Sequence, residues 1–211
     1  MDVFECIRKR RTVHAYRDEP VSDEDIYKIL EAGRWAPSAA NNQPVRYIVI
    51  KEKDIKRKIQ EMVKEVFEMT VKTGKEPYST IMQSFPVDYM EKVPVMICVI
   101  ADKTNEETTF YSQTHHKSAA CASIQNMMLA ALALELGTVW LTFWDPAKVK
   151  VLLNVPFHYD VVGIVLVGHP VKFPELPLAT TRYGFRPRKD ITELVYVESY
   201  GRAYEPPTSS S

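Results

Sequence analysis

The chain has 211 residues, with 27 Lys+Arg against 27 Asp+Glu, 45% hydrophobic and 26% charged residues. Those proportions belong to a folded domain able to bury a core, and they exclude a disordered chain. A net charge of zero gives the whole molecule no electrostatic case for nucleic acid or for an anionic membrane. Glycine is scarce, 7 residues beside 14 prolines, which argues against a glycine-cradled dinucleotide site. Cys6, Cys98 and Cys121 are odd in number and widely spaced, so they form neither a disulfide framework nor a paired metal motif. Cys98 and Cys121 lie in apolar stretches and are expected as packed thiols. The start, MDVFECIRKRRTV, has no apolar core followed by a cleavage site. The apolar runs fall short of the ~20 residues that span a bilayer, so a cytoplasmic protein without a membrane contact is expected.

In chain order, Asp2 to about Arg10 reads as a short helix with basic residues at its end. Ser22 with Asp25 three positions on resembles a capping box and opens a helix carrying Ile26, Ile29 and Leu30 on one face. The polar loop Pro37–Pro44 follows, then a strand at Arg46–Lys51. Asp54 starts a long helix with Ile55, Ile59, Met62, Val63, Val66 and Phe67 at helical spacing. From Lys72 to Lys92 periodicity dissolves, which fits a functional lid better than a plain connector. Val95–Ala101 reads as a buried strand, and Ser118–Leu136 as a central helix, apolar nearly all round. A strand at Thr138–Phe143, a helix capped by Asp145-Pro146 and a strand at Val161–Gly168 follow. Glu193–Glu198 alternates like an edge strand or one that pairs with a partner. About five strands alternating with helices predict a single α/β/α sandwich over residues 1–211.

Arg10, Arg11 and Thr12, with His14 beyond them, place two guanidiniums and a hydroxyl at a helix-to-loop junction. Such a group holds a phosphate, because arginine forks match its oxygens; a basic helix end complementing the macrodipole is the plainer alternative. Pro37, Ser38, Ala39, Asn41, Gln43 and Pro44 form a stiff polar loop that is also compatible with an ordinary turn. Arg186 and Arg188 form a second cationic cluster near the other end of the chain. His115 and His116 point about 100° apart on a helix and have no acidic or thiol ligand at a suitable spacing, so no metal is expected. No G-x-S-x-G elbow supports a hydrolase.

The segments RKRRTVHAYRDEPV, WAPSAANNQPVRYIVI, ASIQNMMLAALALELGTVWL, VVGIVLVGHP and RPRKDITELVY, in that order, resemble the nitroreductase family of FMN-dependent oxidoreductases. The resemblance runs from Phe4 to Val197 and leaves Lys64–Lys92 unmatched, so residues 64–92 are expected as a lid insertion. It implies a three-layer α/β/α sandwich around a mixed, mostly antiparallel sheet, with the C-terminal tail exchanged in a homodimer. It implies FMN held by Arg10, Thr12 and Arg11 between them, with Arg186 and Arg188 closing on the phosphate. It further implies that Pro37, Ser38, Ala39, Asn41 and Gln43 reach the flavin bound mainly by the other subunit. His14 stands where the family has Lys or Arg beside the flavin N1–O2 edge. Thr142 and Phe143 are the candidates for the N5 side, and no catalytic side chain is otherwise required, since the flavin does the chemistry. The implied activity takes hydride from NAD(P)H and reduces an electron-poor nitroaromatic or quinone by a ping-pong mechanism. A reductive dehalogenase-like enzyme and a non-catalytic FMN-binding protein are the alternatives.

Overall fold

The protein is described by a computed structural model covering residues 1–74, 79, 86–104, 114–174 and 188–204. Two compact units divide the chain, Met1–Glu175 and Leu176–Ser211. The first holds strands β1 (Val45–Ile50), β2 (Val95–Asp102), β3 (Gly137–Leu141) and β4 (Tyr159–Gly168) in the order β1-β2-β4-β3, each pair antiparallel. Its helices are α1 (Val3–Lys9), α2 (Asp23–Arg34), α3 (Lys53–Thr73), α4 (His115–Ala133) and α5 (Pro146–Leu152).

Strand side chains alternate between the two sheet faces, and this builds the layers. Val95, Ile97 and Val99 of β2, with Val165 and Val167 of β4, face a core completed by Ile26 and Ile29 of α2 and Ile124, Met127 and Ala131 of α4. Met96, Cys98 and Ile100, with Ile164 and Leu166, face a second core completed by Ile59 and Val63 of α3 and Val149 of α5. This is the expected α/β/α sandwich. Each fully buried Ile or Leu contributes about 1.5–3 kcal/mol, so the two cores dominate the stability of this unit. Gly163 on β4 is a packing requirement: a Cβ there would lie 2.4 Å from Nε1 of Trp140 on the neighbouring strand. The β2–β4 register shifts between Val99 and Ile100 at the same place.

Helix ends follow their caps. The Ser22 hydroxyl accepts the Asp25 N–H at 3.0 Å. Asp145 accepts from the N–H groups of Ala147 and Lys148 ahead of Pro146. Two expectations about α4 need correction. The central helix spans His115–Ala133 rather than Ser118–Leu136. Its first turn is held by His116 and Lys117 on Asp160, and its end by Glu135, which turns left-handed (φ 60°) while the Leu136 N–H returns to the Ala131 carbonyl. Cys121 is exposed, as is Gln125 one turn further along α4, whereas Cys6 on α1 is buried. Cys98 is buried as expected, and burial pushes its thiol up to about 12.

In the second unit, the Glu193–Glu198 strand does not form among the described residues. Asp190 accepts the Thr192 N–H at 2.9 Å and Glu193 accepts the Asp190 N–H at 3.2 Å. That capping box winds Ile191–Glu193 into a 3-10 turn, and only a single antiparallel bridge, Tyr196 to Ala203, follows. Alternation without a neighbouring strand supplies no ladder of hydrogen bonds.

Candidate functional site

Arg10 is the C-terminal cap of α1, its N–H donating to the Cys6 carbonyl at 2.9 Å. The chain then runs along the outer edge of β3: Thr12 forms a parallel bridge with Thr138, and the Val13 N–H donates to the Thr138 carbonyl at 3.1 Å. Gly137 allows this approach, since a Cβ there would meet the Val13 side chain at 2.8 Å. Further on, Arg17 donates its N–H to the His169 carbonyl and Ala15 accepts from Val171, so the segment is pinned at both ends. Arg11 turns Nη1 onto the carbonyls of Arg8 (2.6 Å) and Arg10 (2.9 Å), the last carbonyls of α1, while its Nε is buried without a partner.

His14 points Nδ1 at the Tyr89 hydroxyl, 2.9 Å away. Tyr89 lies in the stretch that carried no sequence pattern, and polar groups of α3 hold it there. Gln60 accepts the Glu91 N–H at 3.1 Å, and the buried Lys56 ammonium donates to the carbonyls of Val93 (2.7 Å) and Pro94 (3.3 Å). Burial, with the nearby charge of Lys53, lowers the Lys56 pKa below that of an ordinary lysine. Local reading missed Tyr89 because its role is tertiary. Lys56 and Gln60 had a signal, falling with Ile59 and Val63 at i, i+3, i+4 and i+7 on the inward face of α3.

Strand β3 ends at Leu141, so Thr142 and Phe143 lie beyond it rather than in the expected strand. Thr142 is exposed, and Phe143 is half-buried edge-on against Phe67 of α3, ring centroids 6.2 Å apart. Thus Thr12, Val13 and the β3 exit share one edge of the sheet. The Pro37–Pro44 loop leads into β1, the other edge. Three strand spacings of about 4.8 Å put those edges about 14 Å apart. The loop is held in a tight form of its own: Ser38 accepts the Gln43 N–H at 3.0 Å, Arg46 donates to the Gln43 carbonyl at 2.8 Å, and Asp102 donates its N–H to Pro44. Ala40, Asn41 and Gln43 all adopt positive φ (47°, 55° and 48°) without being glycine. Such backbone costs about 1–2 kcal/mol per residue and persists only where the surroundings fix it. Arg188 is exposed in the second unit, and Arg186 lies outside the described residues.

His115 and His116 do not join this site. His116 is buried on Asp160 (3.2 Å), together with Lys117, Lys103 and Lys150 within 3.8 Å of the same carboxylate. Burial opposes ionisation of Asp160, but the His116 and Lys117 hydrogen bonds and the lysine charges outweigh it and hold its pKa down. No helix among the described residues is long and apolar enough to cross a membrane.

The profile of the Nitroreductase family matches residues 7–169. A Methanothermobacter thermautotrophicus protein with the provisional name NADH dehydrogenase/NAD(P)H nitroreductase is 31% identical over 82% of this chain and 80% of its own length. An iodotyrosine deiodinase from Nematostella vectensis is 26% identical over 93% of this chain and 75% of its own. Among solved structures, a provisionally named nitroreductase from Desulfovibrio desulfuricans in complex with FMN is 31% identical, covering 95% of this chain and 98% of its own with a TM-score of 0.63. Iodotyrosine deiodinase bound to FMN and 3-iodo-L-tyrosine gives a TM-score of 0.75 over 90% of this chain and 96% of its own, at 21% identity, which speaks to the fold alone. With the family profile covering most of the chain, including the pinned Arg10–His14 segment, and a relative at 31% identity, the chain belongs to the nitroreductase family.

Proposed function

We propose that the protein is an FMN-dependent oxidoreductase that accepts reducing equivalents from NAD(P)H and passes them to an electron-poor small molecule, a nitroaromatic or a quinone. The observation that carries the reading is the cationic segment pinned along the β3 edge. Two adjacent guanidiniums, the Thr12 hydroxyl and a buried Arg11 Nε without a partner form a donor set suited to a phosphate and the hydroxylated chain leading from it. When bound, FMN supplies the two-electron redox chemistry, alternately reduced by nicotinamide and oxidised by the acceptor. The chain supplies the rest. Arg10 and Thr12 bind the phosphate end, with Arg11 stiffening the α1 junction beside them, and Arg188 with Arg186 add positive charge from the tail. His14 donates at the pyrimidine edge, and the Thr142–Phe143 turn excludes water on the N5 side. With no obligatory acid or base, donor and acceptor use one face in turn, which gives ping-pong kinetics.

The same reading calls for a homodimer. The family resemblance assigns the Pro37–Pro44 loop to the flavin of the other subunit, and its place at the β1 edge, the sheet edge opposite β3, supports that role. Apolar surface is available for the contact: Val3, Phe4 and Ile7 of α1 are each more than half exposed. The tail carries exposed Leu194 and Tyr196, and the outer edge of β1 is open to a partner's strand among the described residues. A reductive dehalogenase activity is the second reading, favoured by the iodotyrosine deiodinase relatives. Rapid-mixing reduction of the FMN-loaded protein by NADH and by NADPH, followed by reoxidation with a nitroaromatic, a quinone and a halogenated tyrosine, tests both. Failure of both NADH and NADPH to reduce the flavin overturns the first reading, and reoxidation with halide release only by the halotyrosine establishes the second.

A further inference from the structure

We propose that Tyr89 is the positioning residue for His14, holding the neutral imidazole in the tautomer that carries its proton on Nε2. The inference rests on the reading of His14 as a residue at the flavin edge, and it names the group that decides what His14 offers there. Its first support is contact. The Tyr89 hydroxyl lies 2.9 Å from Nδ1, and the two rings meet edge-on at 89° with centroids 5.4 Å apart. Its second is proton accounting. A phenol has one proton to donate, and burial pushes the Tyr89 pKa above its ordinary value, so that proton stays on near neutral pH. Among the described residues, the hydrogen-bond partner of that hydroxyl is Nδ1 of His14, which takes that proton when it accepts. A ring nitrogen that accepts a hydrogen bond carries no hydrogen, so the neutral ring holds its proton on Nε2.

The third support is rigidity. Tyr89 stacks on Tyr16, centroids 6.1 Å apart and 25° between planes. The turn that follows it is tied to α3 by Gln60 and Lys56, and Asp88 beside it is ion-paired with Lys64. The phenol is therefore aimed, and an aimed donor selects one tautomer as reliably as a second-shell partner fixes a metal-bound histidine. In its neutral form His14 then carries its N–H on Nε2, at the position where the family pattern has a permanently charged side chain. Tyr89 becomes part of the binding apparatus by acting through His14.

The test uses the full chain, 15N-labelled at its five histidines, with long-range proton–nitrogen correlation spectra at pH 8.5, first without and then with added FMN. The His14 signals are those lost in His14→Gln. The expected wild-type pattern is a protonated, pyrrole-type Nε2 and an acceptor, pyridine-type Nδ1. Tyr89→Phe keeps the ring and its stack on Tyr16 but removes the donor, and both His14 nitrogens should move toward the average of two exchanging tautomers while the other four histidines stay in place. A wild-type ring protonated on Nδ1, or a His14 pattern unchanged in Tyr89→Phe, overturns the proposal. If Tyr89→Phe does not fold, the wild-type spectrum alone still decides the tautomer. An Nε2–H tautomer whose signals ignore added FMN, with FMN shown to bind, supports the role of Tyr89 and removes His14 from the flavin edge.

Discussion

The two faces of the sheet are covered by helical layers of different character. The α2–α4 layer is packed from Ile26, Ile29, Ile124, Met127 and small alanines, with Ser123 spending its hydroxyl on Tyr47 at 2.7 Å. The α3 layer buries Lys56 and Gln60 beside Ile59 and Val63, and both polar side chains are spent on the chain segment around residues 91–94. One layer holds the fold together; the other also holds Tyr89, and through it His14. A buried polar group is costly unless it is fully paired, so a lysine inside an otherwise apolar helix face marks a job that packing alone does not do.

The largest effect that sharpens this contrast is a cavity in the apolar layer. Ile124→Ala is expected to cost about 2–5 kcal/mol in urea unfolding while leaving the residual folded protein with wild-type FMN affinity. A loss of affinity as large as the loss of stability would mean that the α4 layer positions the site as well. Next comes the cationic segment. Arg10→Ala and Arg188→Ala should each weaken FMN binding by about one to two decades, the equivalent of about 1.5–3 kcal/mol for a charge-assisted contact, with little change in unfolding. Flavin titration of each apo-variant reads this out. Unchanged affinity in either would leave that arginine a surface or helix-end charge.

Lys56→Met breaks the other side of the comparison. It leaves the carbonyls of Val93 and Pro94 without their donor, an expected loss of about 1–3 kcal/mol. Its pH signature has a definite sign. The folded-state pKa of Lys56 is lowered, so between that value and 10.5 the unfolded chain binds more protons. Stability should therefore rise with pH through that alkaline window in the wild type, and Lys56→Met should remove that rise. Identical stability–pH slopes in the two proteins would mean that Lys56 is as well solvated when folded as when unfolded.

The apolar layers and the strands were legible because periodicity reports burial directly: Ile26, Ile29 and Leu30, or the continuous run Val95–Ala101, announce their element and face. Caps at Ser22 and Asp145-Pro146 were legible for the same local reason. The order of motifs was enough to suggest the family. Tyr89 was not visible, because nothing within a few residues of it states that His14, 75 positions earlier, is its partner. The Glu193–Glu198 pattern, which reads as an edge strand or one that pairs with a partner, finds no neighbouring strand among the described residues of this chain. Alternation states which faces a strand would have but not whether a neighbour is at hand, and the capping box at Asp190 winds the start of the segment, Ile191–Glu193, into a 3-10 turn.

The smallest expected effects come from two left-handed residues, one at the end of the apolar layer and one in the candidate site. Glu135 closes α4 at φ 60°, and Ala40 sits in the Pro37–Pro44 loop at φ 47°. Replacing either by glycine relieves the Cβ clash, and the greater freedom of glycine in the unfolded chain returns part of the gain, leaving a net stabilisation of about 1 kcal/mol or less. The two should part company in flavin binding. Glu135→Gly changes only a helix end, so FMN affinity should stay at the wild-type value while the melting temperature rises slightly. Ala40→Gly loosens a loop whose strained form is proposed to meet the partner's flavin already shaped. Its stability should rise in the same way while FMN affinity falls by a small factor, because ordering the loop must then be done at each binding event. Paired thermal melts and flavin titrations of the two variants measure the difference. Equal affinities would show that the strain at Ala40 is a feature of the turn alone and that the loop takes no part in holding the cofactor.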